Sequence, residues 1–110
     1  MNMTKEQIEY GKRKIWKEIK DFPSYFVSID GKIISLKQRV PRFISQRISN
    51  AGYLRVCLCK NNTTYFRCVH QIVCEAFNGE KPTPKHECAH NNGIKTDNRV
   101  ENLRWATRKE

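Results

Sequence analysis

His90 ends a short strand-like run, Glu87-Cys88-Ala89-His90, and opens a loop with asparagine at Asn91, Asn92, Asn98 and Asn102. Asparagine amides bond backbone N–H and C=O groups, so they hold a loop rigid without helix or sheet. A rigid loop can fix an imidazole, and a fixed imidazole can take a proton from water near neutral pH. The loop closes on Leu103-Arg104-Trp105-Ala106, a second short strand. Thr107 and Glu110 then have the spacing of a capping box, announcing a helix that the chain end cuts short. His70 opens a helix after a strand and reads as a hydrogen-bonded structural residue. His86, four residues before His90, is no more than a weak candidate for an auxiliary ligand.

The elements that must position this loop are mostly strands. Tyr25-Phe26-Val27-Ser28-Ile29 and Lys32-Ile33-Ile34-Ser35-Leu36 flank Asp30-Gly31, a hairpin signal. Phe43-Ile44-Ser45, the turn Ser49-Asn50-Ala51-Gly52, then Tyr53–Cys59 and Thr64–Val69 around Lys60-Asn61-Asn62-Thr63 predict an antiparallel meander. Val69, Ile72, Val73, Ala76 and Phe77 repeat at helical spacing, and Asn78-Gly79 stops the helix. Thr4 with Gln7 suggests a capped helix in a basic leader. Trp16 and Trp105 read as core anchors. The expected organisation is a leader over 1–15, possible as helix, a β-rich module over 16–68, and a strand–loop–strand motif over 69–110.

Lys and Arg total 21 against 11 acids in 110 residues, for a net charge of +10 and a pI near 9.6. Such a surplus suits a polyanion. No acidic residue lies between Asp30 and Glu75, while Lys32, Lys37, Arg39, Arg42, Arg47, Arg55, Lys60 and Arg67 do, with Tyr53, Tyr65 and Phe66 among them. Unopposed cations on a sheet fit duplex DNA. No apolar run is long enough for a membrane span and no apolar leader segment is present, so a cytoplasmic, reducing location is expected. The five cysteines lack zinc-loop spacing and read as small buried hydrophobes.

From His90 onward the chain resembles the HNH endonucleases of the phage and intron-homing kind. The residues that carry the likeness are His90, Asn92, Gly93, Lys95, Thr96, Asp97, Asn98, Arg99, Glu101, Asn102, Leu103, Trp105 and Thr107. Val69–Phe77 resembles the helix that precedes the motif in that family. Trp16–Ile19, Phe22, Tyr25, Val27-Ser28, Gly31 and Ser35 resemble the small NUMOD4-like module found beside such nucleases. The likeness implies an α+β fold, a small antiparallel β module followed by a ββα-metal motif. It implies that His90 is the general base, that Asn98 and Asn102 hold the loop, and that Arg104 and Arg108 touch phosphates. It also implies one divalent metal, Mg²⁺ or alternatively Mn²⁺, at the scissile phosphate. A single site favours nicking, and a monomer is the simpler expectation.

Two positions depart from the family pattern. The residue before the histidine is usually Asp or Asn and can ligate metal; here it is Ala89. The other ligand is expected from the final helix, past Glu110. Asn91, Asn92 and Asp97 are the substitutes at hand, with Asn92 and Asp97 carried forward as weak metal candidates. The alternative function is a DNA-binding protein that keeps the fold and does not cut. A zinc-stabilised adaptor ranks behind both.

Overall fold

In the computed structural model, which describes residues 16–107, the Asp30-Gly31 signal closes the first hairpin. Strands β1 (Trp16–Glu18), β2 (Tyr25–Ser28), β3 (Ile33–Ser35) and β4 (Arg42–Phe43) form an antiparallel sheet in sequential order. Val27 pairs with Ile33. The Ser28 N–H donates to Lys32 O and the Gly31 N–H to Ser28 O. Gly31 has φ +84°. The connection is thus a three-residue loop whose last residue takes the left-handed position that glycine enters without steric cost.

The expected meander divides into two sheets. Arg42–Phe43 joins β3, and the Ile44 N–H continues the ladder to Ile33 O. A second sheet then forms from β5 (Arg47–Ile48), β6 (Leu54–Lys60) and β7 (Thr63–Cys68). Asn61 and Asn62 join β6 to β7 with φ of 52° and 62°, the pair of positive values that a tight two-residue hairpin turn needs. Along β6, Val56 and Leu58 are buried while Cys57 and Cys59 point outward. Only Cys74 of the five cysteines is fully buried, which corrects the expectation that all act as core residues. Period-two alternation gives the core to one set and solvent to the other.

Helix α1 (Val69–Phe77) follows β7 without a loop. Its Val69, Ile72, Val73 and Cys74 are buried. The helix ends at Asn78, whose amide donates to Leu103 O at 3.1 Å, and the Trp105 indole donates to Gly79 O at 2.9 Å. Both bonds tie the helix end to β9 (Leu103–Ala106), which pairs antiparallel with β8 (Glu87–His90). Trp16 is buried, while Trp105 is half-buried at the edge of the core. One apolar cluster runs through Val27, Ile33, Leu58, Ile72, Val73 and Leu103, so the core crosses residue 68. The expected leader helix at Thr4 lies outside the described residues, as does the capping-box helix beyond Thr107. No helix among the described residues is long and apolar enough to cross a membrane.

A Cβ placed on Gly31 would lie 3.1 Å from Asn98 Cβ and 3.2 Å from Asn98 O, while one on Gly93, also at positive φ, meets nothing within 4 Å. Gly93→Ala should therefore cost about 1 kcal/mol from backbone strain alone. Gly31→Ala should cost distinctly more in the same chemical denaturation series. Equal losses would mean that the hairpin turn does not bear on Asn98.

Candidate active site

The β8–β9 pair sets His90 opposite Leu103 and Ala89 opposite Arg104. Between them the chain folds into a loop stapled by one side chain. Asn102, 5% exposed, donates from its amide to Asn92 Oδ1 at 3.0 Å and to Asp97 O at 2.8 Å, and its Oδ1 accepts from the Asn92 N–H at 3.1 Å. The Asn91 N–H donates to Asn102 O at 2.7 Å. Arg99 grips both carboxylate oxygens of Asp97 at 2.8 Å. That pairing holds the Asp97 carboxyl far below the usual carboxylate range. A 3-10 turn over Val100–Asn102 completes the loop.

Asn98 does a different job. It is 4% exposed, and its Oδ1 lies 2.8 Å from His90 Nε2. An amide oxygen only accepts, so Nε2 carries the proton and Nδ1 presents its lone pair. The hairpin turn backs Asn98 from behind: Gly31 packs on it, and the Val100 N–H donates to Ile29 O at 2.7 Å. The two asparagines thus divide the work, Asn102 building the loop and Asn98 touching the ring.

Other groups at the histidine come from far along the chain. A cleft of about 330 Å³ in front of His90 is lined by Tyr53, Glu87, Ala89, Lys95 and Thr107, among others. The Lys95 ammonium donates to Ala51 O at 2.9 Å and sits 5.0 Å from the Tyr53 ring centre. His70, 7% exposed, stacks on Tyr53 with centroids 4.7 Å apart, and its ring lies 5.1 Å from that of His90. Burial, with the neighbouring His90 adding to it, lowers its pKa to about 4, so His70 is neutral. Its Nδ1 is buried without a partner. The ring expected to be hydrogen-bonded is held instead by stacking contacts. Tyr53, read from sequence as an aromatic of the cationic face, belongs to this cluster instead. His86 sits at the opposite end of β8 from His90, its Nδ1 2.8 Å from the Thr83 hydroxyl.

The resemblance read from the sequence implies a divalent metal. The two candidate ligands named from sequence are both engaged: Asn92 donates to Asp97 Oδ2 at 2.9 Å, its own oxygen accepts from Ile94 N–H and Asn102, and Asp97 is neutralised by Arg99. Ala89 offers no donor. Among the described residues no group of three His, Cys, Asp or Glu side chains is arranged to hold an ion, for magnesium or for zinc. Among the described residues, the donors around His90 do not fit a metal centre.

The cations separate into groups. Arg42, Arg47 and Arg55 line a cleft of about 680 Å³ between β4 and the second sheet, together with exposed Phe43, Ile48 and Phe66. Arg47 and Arg55 are direct cross-strand partners. Arg67 is not in that cleft; on β7 it bonds Glu75 of α1 at 2.6 Å. The Lys60 ammonium lies over the Phe22 and Tyr65 rings. Arg39 is exposed on the loop after β3. Arg104 is exposed on β9 and donates to Asn91 Oδ1. Arg108 lies outside the described residues.

Residues 67–110 match the family model for HNH endonucleases and residues 15–59 that for the NUMOD4 motif. The chain is 36% identical over 103 residues to an uncharacterized HNH endonuclease of Acanthamoeba polyphaga mimivirus, covering 90% of this chain and 25% of that protein. A second uncharacterized HNH endonuclease of the same virus is 28% identical over 87 residues, covering 79% of this chain and 26% of its own length. A solved structure described as DNA binding and cleavage by the HNH homing endonuclease I-HmuI superposes with a TM-score of 0.76 at 32% identity, over 86% of this chain and 53% of the other. The chain therefore belongs with the HNH endonucleases, with a NUMOD4 motif ahead of the nuclease motif. It spans about a quarter of each viral relative and about half of the solved chain.

Asn102→Ala should lower unfolding free energy by about 2–4 kcal/mol, since it strips three bonds from a buried loop; a urea titration measures it. His70 gives a pH signature. Its pKa is about 6.5 unfolded and about 4 folded, so between those values the unfolded chain binds the extra proton. Its contribution is complete above pH 6.5 and declines as pH falls toward 4. His70→Phe should flatten that part of a melting-temperature profile; an unchanged slope would contradict a buried neutral ring.

Proposed function

We propose that the chain binds duplex DNA and hydrolyses a phosphodiester, nicking one strand, with His90 as general base. The observation that carries this is the His90 ring tied at Nε2 to Asn98 while Nδ1 has no bond among the described residues. A water oxygen joins the phosphorus as its proton passes to Nδ1. The bond to the 3′ oxygen breaks, and that oxygen takes a proton from solvent. Lys95 brings positive charge to the same cleft, where a phosphate gains negative charge in the transition state. Arg42, Arg47 and Arg55 supply the duplex contact. Like charges paired directly across strands repel, and a phosphate between them relieves that repulsion. Arg39, Lys60, Arg104 and Arg108 stand as further sequence-derived contacts, whereas Arg67, also named from sequence, is already neutralised by Glu75 and is not counted among them. The metal that HNH nucleases use is taken as Mg²⁺, with Mn²⁺ as its substitute; it would need donors other than Asn92 and Asp97, whose side chains are already engaged within the loop. The relatives come from an amoebal virus, which supports a viral setting without requiring a phage.

A DNA-binding protein without cleavage is the second reading, favoured by Ala89 and by the engaged carboxylate of Asp97. Plasmid nicking with Mg²⁺ or Mn²⁺, wild type against His90→Ala, separates the two. Nicking lost by at least about 100-fold in the variant, with DNA binding retained, supports hydrolysis. Binding without nicking by the wild type supports the second reading.

Affinity should fall steeply with salt, with log K against log salt sloping near about −5 for some five or six phosphates held. Arg47→Gln and Arg55→Gln should each make that slope shallower by about 1, and Arg67→Gln should leave it unchanged. A flat response in the wild type would contradict the cationic cleft as the duplex contact.

A further inference from the structure

We propose that Tyr53 and His70 are positioning residues whose stacked rings fix the plane of the His90 imidazole. This rests on the nuclease function proposed above. The Asn98 bond holds one ring atom, Nε2, and leaves the ring free to tilt about that contact. Two further rings oppose the tilt. Tyr53 stacks on His70 at 4.7 Å and 26°, and on His90 at 5.9 Å and 28°. His70 meets His90 at 5.1 Å and 44°. These separations lie in the range where aromatic pairs attract and constrain one another.

Each wall ring is itself anchored by an element outside the His90 loop. The Tyr53 N–H donates to Ser49 Oγ at 3.3 Å and its carbonyl accepts from the Ser49 N–H at 2.8 Å, which fixes it at the mouth of β6. Lys95, bonded to Ala51 O, lies over the Tyr53 ring. His70 is set in the first turn of α1, and its carbonyl accepts from the Cys88 thiol at 3.3 Å, linking helix and β8. A charged ring at position 70 would repel the proton that His90 gains; burial keeps it neutral. Its orphaned Nδ1 does no bonding that a phenyl ring would forfeit. The plane of the ring is therefore what matters, and phenylalanine should replace either residue.

The test is single-turnover nicking of duplex DNA by the full chain, with DNA affinity measured separately. Tyr53→Leu and His70→Leu should slow the cleavage step by roughly 10- to 100-fold, with affinity within about twofold of wild type. Tyr53→Phe and His70→Phe should restore near wild-type rates. Leucine variants that cut normally, losses confined to affinity, or phenylalanine variants as slow as leucine ones would each overturn the proposal. Proton NMR of the folded wild type decides the matter where a leucine variant unfolds or where the wild type does not cut. The carbon-bound ring protons of His90 should be displaced by the neighbouring ring currents, and should remain displaced in Tyr53→Phe. Ring protons at their free-imidazole positions would overturn the ring wall. A wild type that binds DNA without nicking would instead overturn the nuclease function alone.

Discussion

The hydrogen bond from His90 Nε2 to Asn98 Oδ1 is the constraint on which the site depends. It selects one tautomer, because an amide oxygen can face only a protonated nitrogen. The selected tautomer leaves Nδ1 as the basic atom. Asn98 can hold this position because its own surroundings are rigid: it is buried, and a neighbouring asparagine, Asn102, has already fixed the loop from within.

The rigidity is supplied from outside the strand–loop–strand motif as well. The β2–β3 turn packs its Gly31 on Asn98, and Ile29 accepts a bond from the Val100 N–H. The turn before β6 gives Ala51 O to Lys95 and carries Tyr53 to the histidine rings. The β-rich part of the chain therefore does two things at once. One face of its second sheet joins the core through Val56 and Leu58, while Arg47, Arg55 and Phe66 lie along a separate exposed cleft. The same turns that connect its strands press on the asparagine loop that carries His90. The cationic cleft and the imidazole are thereby linked through short, hydrogen-bonded backbone segments.

Much of this was legible in the residues because its determinants are local. The Asn61-Asn62 turn, the apolar spacing of α1 and the two strands around the asparagine loop are all set by near neighbours in sequence. What was not legible depends on distant partners. The strand Trp16–Glu18 has only three residues and exists through its pairing with β2. Arg67 looks like any other cation of the acid-free stretch until the fold brings Glu75 to it. The roles of Tyr53 and His70 were hidden for the same reason: each is ordinary in its own segment and gains meaning only when three separate elements meet at His90. Asn98 and Asn102 could be named together from sequence, but only geometry tells which one touches the ring.

The most direct measurement is nitrogen-15 NMR of the His90 imidazole in the folded chain near neutral pH. A protonated Nε2 coupled to the Asn98 contact, with Nδ1 bare, and a shift of that balance in Asn98→Ala, is the predicted result. A His90 ring protonated at Nδ1 with Nε2 bare, unaffected by Asn98→Ala, would contradict the account.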